Sequence, residues 1–444
     1  MTLETLSRLL RKQDVVRLFI KQLAPNDNSK NQIYLGGDLA VLTVLPSGTL
    51  THRDSSSGKP GAASKQLLKA GLPLLWLDSN GGIHPAPNAQ LILYPQYPEV
   101  RLSGFLAGSS IQLGEWFDPY KKGRYPGRIL ILGVARDGRI YAYLALPDSV
   151  LARQLRGATV LSVFGALTEL SFAEDDGRRE LLSELCRIHK LDWITGKQLD
   201  SSHAIWPCNS SNCGGYTLEA ELGITKNGYA EPDFLGWEVK SFSVANFALL
   251  NSQVITLMTP EPDGGVYKEE GVESFIRKFG YPDVSGRPDR LNFGGVHIFG
   301  KRHVRTNLEL ELIDYDLESG KIKDVNGGVA LITEDSQCAA LWTFAKLIDH
   351  WKKKHDKAVY VPLKGEAGPP RRYRYGANVL LGRGADFDKV LKAFAAGNVY
   401  YDPGLKLENA SGDSPKSKRR NQFRVKVRDL HSLYETFENS GVCI

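Results

Sequence analysis

Apolar and polar positions change their rhythm near residue 150 of the chain. Before that point short apolar runs alternate with turn residues: Gln32 to Leu35, Leu39 to Val44, Leu74 to Leu77, Leu91 to Tyr94, Arg128 to Gly133 and Arg139 to Ala145, punctuated by Pro46-Ser47-Gly48, Ser79-Asn80-Gly81-Gly82 and Asp137-Gly138. Many short strands at such spacing predict a mainly β domain, a barrel or sandwich, over residues 1–155. After Pro147 the texture turns helical, with Leu181, Leu182, Leu185 and Ile188 on one helical face. Residues 156–178 read as a connector, although Thr159 to Leu167 is apolar enough to be docked. A second domain, mixed α/β, then covers 179–444.

The densest chemistry lies in that second domain, between Gly214 and Phe242: GGYTLEAELGITKNGYAEPDFLGWEVKSF. In Trp237-Glu238-Val239-Lys240 side chains two apart share a strand face, so Glu238 and Lys240 point together and Trp237 and Val239 point the other way. Asp233 follows Pro232, whose ring holds Glu231 extended and aims the aspartate from the preceding strand or turn. Two carboxylates and a lysine thus converge. Asp233 and Glu238 offer the hard oxygen ligands that suit Mg²⁺, and a lysine beside them can orient a water and offset phosphate charge. Glu219 sits in Tyr216 to Leu222, helix-forming after the Gly214-Gly215 turn, where it would complete the metal shell or hold a second ion. The bland alternative is a surface hairpin with ordinary charges. The Gly-Gly approach, the helical glutamate and the apolar back of the strand argue for a hydrolase acting on phosphodiesters.

GGYTLEAELGI followed by EPDFLGWEVKS resembles the MvaI/BcnI group of restriction endonucleases, similar in turn to the MutH-type repair nickases and sharing the PD-(D/E)XK fold. The resemblance runs on through VITLMTPEPD (Val254 to Asp263) and DRLNFGGVH (Asp289 to His297), and so covers roughly the last 260 residues. It implies a mixed sheet flanked by helices, with Asp233 and Glu238 as metal-binding carboxylates, Lys240 as catalytic lysine and Glu219 as the helical glutamate. It further implies a Mg²⁺-dependent type II enzyme that acts as a monomer on both strands of a short G·C-rich site. CCWGG is the leading candidate.

Composition changes the picture only locally. A chain of 444 residues with 42% hydrophobic positions can fill two or three cores, and a net charge of +6 implies no general polycation. The charge is concentrated between Tyr401 and Arg428, where eight lysines and arginines face three acids, a phosphate-binding patch by composition. Five cysteines, Cys186, Cys208, Cys213, Cys338 and Cys443, are odd in number and irregular in spacing, which predicts reduced thiols and no zinc site. There is no apolar run of membrane-spanning length and no leader peptide, so a cytoplasmic protein of a bacterium or archaeon is expected.

Three arginine-rich segments are the candidates for contacting DNA from the catalytic domain: Arg302 and Arg305; Arg371, Arg372 and Arg374; and Arg419, Arg420 and Arg424. Arginine reads guanine edges, but for any one arginine a phosphate is the better expectation. His297, in the apolar run GGVHIFG, reads as buried. In the first domain the polar loop KQLAPNDNSKNQIYL offers Asn26, Asn28, Lys30 and Gln32, while EVRLS and WFDPYKKGRYPGR add Arg101, Lys121 and Lys122. These segments look somewhat like the effector domain of the EcoRII endonuclease, which implies a pseudobarrel that binds a second DNA copy and activates cleavage. Two other classes use much the same sequence: a MutH-like nickase would stop at an open circle, and a non-catalytic DNA-binding protein would ignore Mg²⁺.

Overall fold

The computed structural model describes residues 1–25, 31–37, 39–54, 66–94, 99–172, 177–210, 212–225, 233–352 and 357–443. The chain divides into two compact units, Met1–Arg179 and Glu180–Ile444.

The first unit is built on two sheets. The run Ile129–Ala135, ILILGVA, is apolar throughout and buried along its whole length, which marks a strand covered on both faces. It pairs antiparallel with Val15–Gln22 on one side and Ile140–Ala145 on the other. These are the centre of a seven-stranded sheet that continues through Leu74–Leu77 and Ile83–Pro85 at one end and Leu167–Leu170 and Val160–Phe164 at the other. Helices Leu3–Arg11 and Val150–Arg156, N-capped by the side chains of Thr2 and Ser149, lay Leu6, Leu10, Leu151 and Leu155 on Leu18, Ile20, Ile129 and Ile131. The second sheet runs Ile33–Gly36, Glu99–Ser103, Gln90–Tyr94, Gln66–Gly71, Thr51–Asp54, antiparallel throughout. Trp76, Phe105 and Phe117 pack edge to face within this unit, and the Trp76 indole donates to Phe105 O at 2.6 Å.

Three expectations change here. Both sheets are open, each ending in strands not hydrogen-bonded to one another, and no closed barrel forms among the described residues. Leu39 to Val44 is not a strand: Val41–Val44 forms one helical turn with Val41, Leu42 and Val44 buried, a distinction that a short apolar run does not encode. The apolar stretch around Thr159 to Leu167 supplies two strands of the seven-stranded sheet, with Leu18 opposite Leu170 and Ile20 opposite Thr168.

In the second unit a six-stranded mixed sheet is organised on Lys357–Glu366. Its first half pairs with Asn378–Arg383, its second half with Arg372–Tyr375, and along its other side Glu238–Ser243 runs parallel to it. Thr436–Gly441 and Ile194–Thr195 extend the sheet at its two ends. Helices Arg178–Lys190 and Cys213–Glu221 cover one face, burying Leu181, Leu182, Leu185, Ile188, Leu218 and Leu222 against Trp237, Val239, Val359, Val361 and Leu381. The helical spacing seen in the sequence is thus the core-facing stripe. The remaining strands form smaller sheets, among them Val254–Met258 with Phe423–Lys426 and Val399–Tyr401, and Arg290–Gly294 with Gly404–Glu408 and Lys416–Lys418.

The cysteines correct the sequence reading: Cys186 is bonded to Cys443 and Cys208 to Cys213, leaving Cys338 as the free thiol among the described residues. Cys186 and Cys443 are 257 positions apart in sequence and meet only through tertiary packing, so irregular spacing carried no information about the pair. No helix among the described residues is long and apolar enough to cross a membrane.

Gly165 closes the hairpin between Val160–Phe164 and Leu167–Leu170 at φ +57°, and a Cβ there would lie 2.8 Å from Gly36 Cα and 2.9 Å from Leu35 O. Left-handed backbone and lack of space act together, so Gly165→Ala is expected to destabilise the protein by more than about 1 kcal/mol, read as a lower denaturant midpoint. An unchanged midpoint would contradict this packing.

Candidate active site

A two-residue turn sets up the site. Phe234 and Trp237 exchange backbone hydrogen bonds at 3.0 and 2.8 Å across Leu235 and Gly236, both in left-handed conformations (φ +49° and +83°). Positive φ at both central positions matches the twist of the flanking chain, and Gly236 adopts it at no steric cost. The turn brings Asp233 back beside the strand that follows, where Val239 N donates to Asp233 Oδ2 at 2.9 Å. The strand's own backbone therefore holds the aspartate after a turn closed by hydrogen bonds, while the expected restraint from Glu231 and Pro232 lies outside the described residues.

Glu238–Ser243 then separates its side chains as the alternation requires. Trp237 and Val239 are buried against Leu218 and Leu222 of the Cys213–Glu221 helix. Glu238 and Lys240 share the other face, with Lys240 Nζ donating to Glu238 Oε1 at 3.0 Å and the glutamate only 4% exposed. Lys240 stands opposite Tyr360 in the parallel register, and the Tyr360 hydroxyl is 2.6 Å from that of Tyr434. Burial lowers the pKa of Lys240, but the fields of Glu238, Tyr360 and Asp233 outweigh it, so that among the protein groups alone the ammonium is stabilised. Burial, with Glu238 adding to it, pushes the Tyr360 phenol up to about 12 against the opposing effects of Tyr434 and Lys240. A protonated lysine, two carboxylates and a neutral phenol are thus gathered on one face.

Glu219 is placed differently. It lies on the second turn of the Cys213–Glu221 helix, whose first turn contains Gly214 and Gly215, so the pair opens the helix and is not a turn before it. A Cβ on Gly215 would touch both Ser241 Oγ at 3.5 Å and Glu219 Oε1 at 3.9 Å, so this carboxylate folds back toward the bare Gly215 beside the site strand. Among the described residues no three His, Cys, Asp or Glu side chains gather as a metal-holding group. Asp233 and Glu238 are the two carboxylates brought beside Lys240, and their hard oxygens are of the type that fits a divalent ion.

The arginines nominated for DNA contact fall into two groups. Arg302 is paired with Glu309 at 3.2 Å, Arg372 with Glu366 at 2.5 Å, Arg374 with Asp192 at 2.6 Å and Arg424 with Asp402 at 2.5 Å. Arg305 lies 5.3 Å over the Tyr281 ring, and Arg371, Arg419 and Arg420 have no ion pair among the described residues. In the first unit Arg101 is held by Glu99 at 2.7 Å and Gln32 at 3.2 Å over the Tyr94 ring. Lys122 pairs with Glu115 over Trp116, and Lys121 lines an open cavity of about 710 Å³ with Asn31, Gln112 and Tyr120. Asn26, Asn28 and Lys30 lie outside the described residues.

Residues 182–434 match the MvaI/BcnI restriction endonuclease family. The chain belongs to that family. MvaI/BcnI enzymes are restriction endonucleases, phosphodiester hydrolases acting on DNA at specific sites, and the Asp233, Glu238 and Lys240 face falls inside the matched segment. Among solved structures the chain is similar to the restriction endonuclease MvaI–cognate DNA substrate complex, at 15% identity and TM-score 0.44 over 61% of this chain and 100% of that one. It is similar also to MvaI in the absence of DNA, at 15% identity and TM-score 0.33 over 60% and 99%. No curated protein matches the chain.

Tyr360 and Tyr434 are the site neighbours the sequence did not disclose. Lys357–Glu366 is buried almost throughout, so no polar alternation singled Tyr360 out. His297 is fully buried, as its apolar run implied, with Nε2 2.8 Å from Thr306 Oγ1 and its ring stacked between Phe293 and His303. Burial, with His303 adding to it, depresses its pKa to about 3. The folded chain thus disfavours the imidazolium: the stabilisation is complete above the ordinary histidine pKa of about 6.5 and is lost as pH falls toward 3. Lowering pH from about 6.5 to about 5 should cost roughly 2 kcal/mol through this group alone. The check is the pH dependence of unfolding in His297→Gln, whose curve should be flatter over that interval; parallel curves would refute the assignment.

Proposed function

We propose that this chain is a Mg²⁺-dependent type II restriction endonuclease that cuts both strands of a short G·C-rich duplex site, with CCWGG the first sequence to test. The observation carrying the reading is the Glu238 and Lys240 face of one strand, with Asp233 held beside it by Val239 N, within the family-matched unit. Asp233 and Glu238 would hold the ion, which when bound supplies charge neutralisation at the scissile phosphate and an acidified water. Lys240, kept protonated by its acidic neighbours, donates from Nζ toward the phosphate or the attacking water. Tyr360 stands opposite Lys240 in the parallel register, and its hydroxyl meets that of Tyr434. Glu219, beside Ser241, is the reserve carboxylate on the helix side.

For DNA we assign Arg305, Arg371, Arg419 and Arg420 to first encounter, with Arg302, Arg372, Arg374 and Arg424 exchanging their carboxylate partners for phosphates or bases. The first unit is proposed to bind a second copy of the site through Arg101, Gln32, Lys121 and Lys122, together with Asn26, Asn28 and Lys30, and to activate a monomeric enzyme.

Digestion of a phage genome of known sequence with Mg²⁺, followed by sequencing of the ends, reads site, offset and strand count together. Blunt or staggered double-strand ends at one sequence are expected; a supercoiled plasmid that stops at the open circle would instead make the protein a nickase. Asp233→Ala, Glu238→Ala and Lys240→Ala should each lower the cleavage rate at least about 10²-fold with folding intact, and EDTA should abolish it. Retained cleavage in any of the three would remove that residue from the machinery. Second-copy activation predicts faster cutting of a two-site plasmid than of a one-site plasmid.

A further inference from the structure

One element of the second unit exposes large apolar side chains of the kind that are ordinarily buried. Lys197–Leu199 and Ile205–Pro207 form a small antiparallel hairpin, in which Ile205 is 66% and Trp206 56% exposed. Its tip is held by one carboxylate. Asp200 Oδ1 accepts from Ser202 N, Ser202 Oγ and Ala204 N, while Oδ2 accepts from the Trp206 indole at 2.8 Å. Those bonds hold the Asp200 carboxyl down near a pKa of about 2, so the clamp persists across the physiological range. The indole is consequently an exposed ring with its N–H occupied and its orientation fixed, a stacking face whose ordering cost is met before binding.

The foot of the hairpin is equally fixed, and it stands on the helix that carries Glu219. Lys197 N donates to Thr217 Oγ1 and Lys197 Nζ pairs with Glu221, both on the helix that carries Glu219. Cys208 N donates to Gly196 O, and Cys208 is bonded to Cys213 at the start of the same helix. On its other side Gly196 N donates to Arg371 O, and the adjoining Ile194–Thr195 strand pairs with Arg372–Tyr373. Arg372 lies 5.8 Å over the Trp193 ring. The acids at this surface, Asp192, Asp200 and Glu366, are each engaged by Arg374, the hairpin tip and Arg372. An exposed indole beside arginines, with these acids engaged, is the composition of a surface that meets a polyanion carrying flat rings.

We propose that the Lys197–Pro207 hairpin is a DNA-contacting arm: the Trp206 indole packs on a base step that opens or kinks on binding, while Arg371 at the foot of the arm takes a backbone phosphate. The inference rests on the reading of the chain as a DNA endonuclease. Because the ring projects from a surface hairpin, its replacement leaves the core untouched.

The test uses the full chain in EDTA and a short fluorescein-labelled duplex carrying the sequence the wild type cleaves, with 2-aminopurine placed in turn along a second duplex. Trp206→Ala should raise Kd about 5- to 100-fold, the range for losing one base-stacking ring, and Trp206→Phe less than about 3-fold. The wild type should brighten 2-aminopurine at one step of the duplex, and Trp206→Ala should not. Equal affinity and equal brightening in wild type and Trp206→Ala would overturn the proposal. So would an unchanged Kd accompanied by an altered sedimentation coefficient, which would make the arm a protein contact. A wild type that binds no duplex would instead bring down the endonuclease reading, and the arm with it.

Discussion

Everything at the candidate site depends on the two faces of one short strand. Glu238–Ser243 is anchored by Trp237 and Val239, which sink into the core shared with Leu218 and Leu222, and this anchorage drives Glu238 and Lys240 onto the opposite face. A slip of one residue would invert the arrangement, putting a carboxylate and an ammonium into the core and an indole at the site. Such a slip is opposed by the full burial of Trp237 and by the parallel ladder with Ala358 through Leu363. Apolar burial therefore fixes the register, and the register places the charges. Asp233 depends on the same interaction, because its carboxylate is held by Val239 N.

The cost of this arrangement is a nearly buried glutamate beside a nearly buried lysine. An ion pair in such surroundings is a poor source of stability, since desolvation consumes most of the attraction. Its presence on a face where apolar residues would pack as well is the kind of local conflict expected where function has overridden packing. Tyr360 reinforces the point: opposite the lysine in register, with its hydroxyl meeting that of Tyr434, it stays a neutral phenol.

Much of this was legible in the sequence, for identifiable reasons. Strand alternation and helical spacing are local properties, so the facing of Glu238 and Lys240 and the buried stripe Leu181, Leu182, Leu185 and Ile188 could be read directly. Tyr360 could not, because a strand buried on both faces has no alternation to read. The disulfide between Cys186 and Cys443 joins residues 257 positions apart, and Val41–Val44 takes its helical turn from surroundings that a six-residue run does not contain. The Gly214-Gly215 pair was read as a turn from propensity, whereas Gly214 lies close under Leu363 and Tyr373, where packing favours a residue without a side chain.

Charge was the property the sequence overstated. Counting lysines and arginines treats each as available, yet four of the eight arginines nominated in the second unit already hold carboxylates, and a phosphate must displace Glu309, Glu366, Asp192 or Asp402 to reach them. Exchange of one anionic partner for another gains little Coulomb energy in water and releases fewer counterions than occupation of a bare arginine. On the proposed roles, affinity for arbitrary DNA would thereby be held down while a fully complementary site, which can offer all the replacement acceptors at once, would be penalised least. On the DNA-contact roles proposed above, the carboxylates beside the basic segments would act as selectivity elements, turning a phosphate-binding surface into one that responds to the geometry of its target.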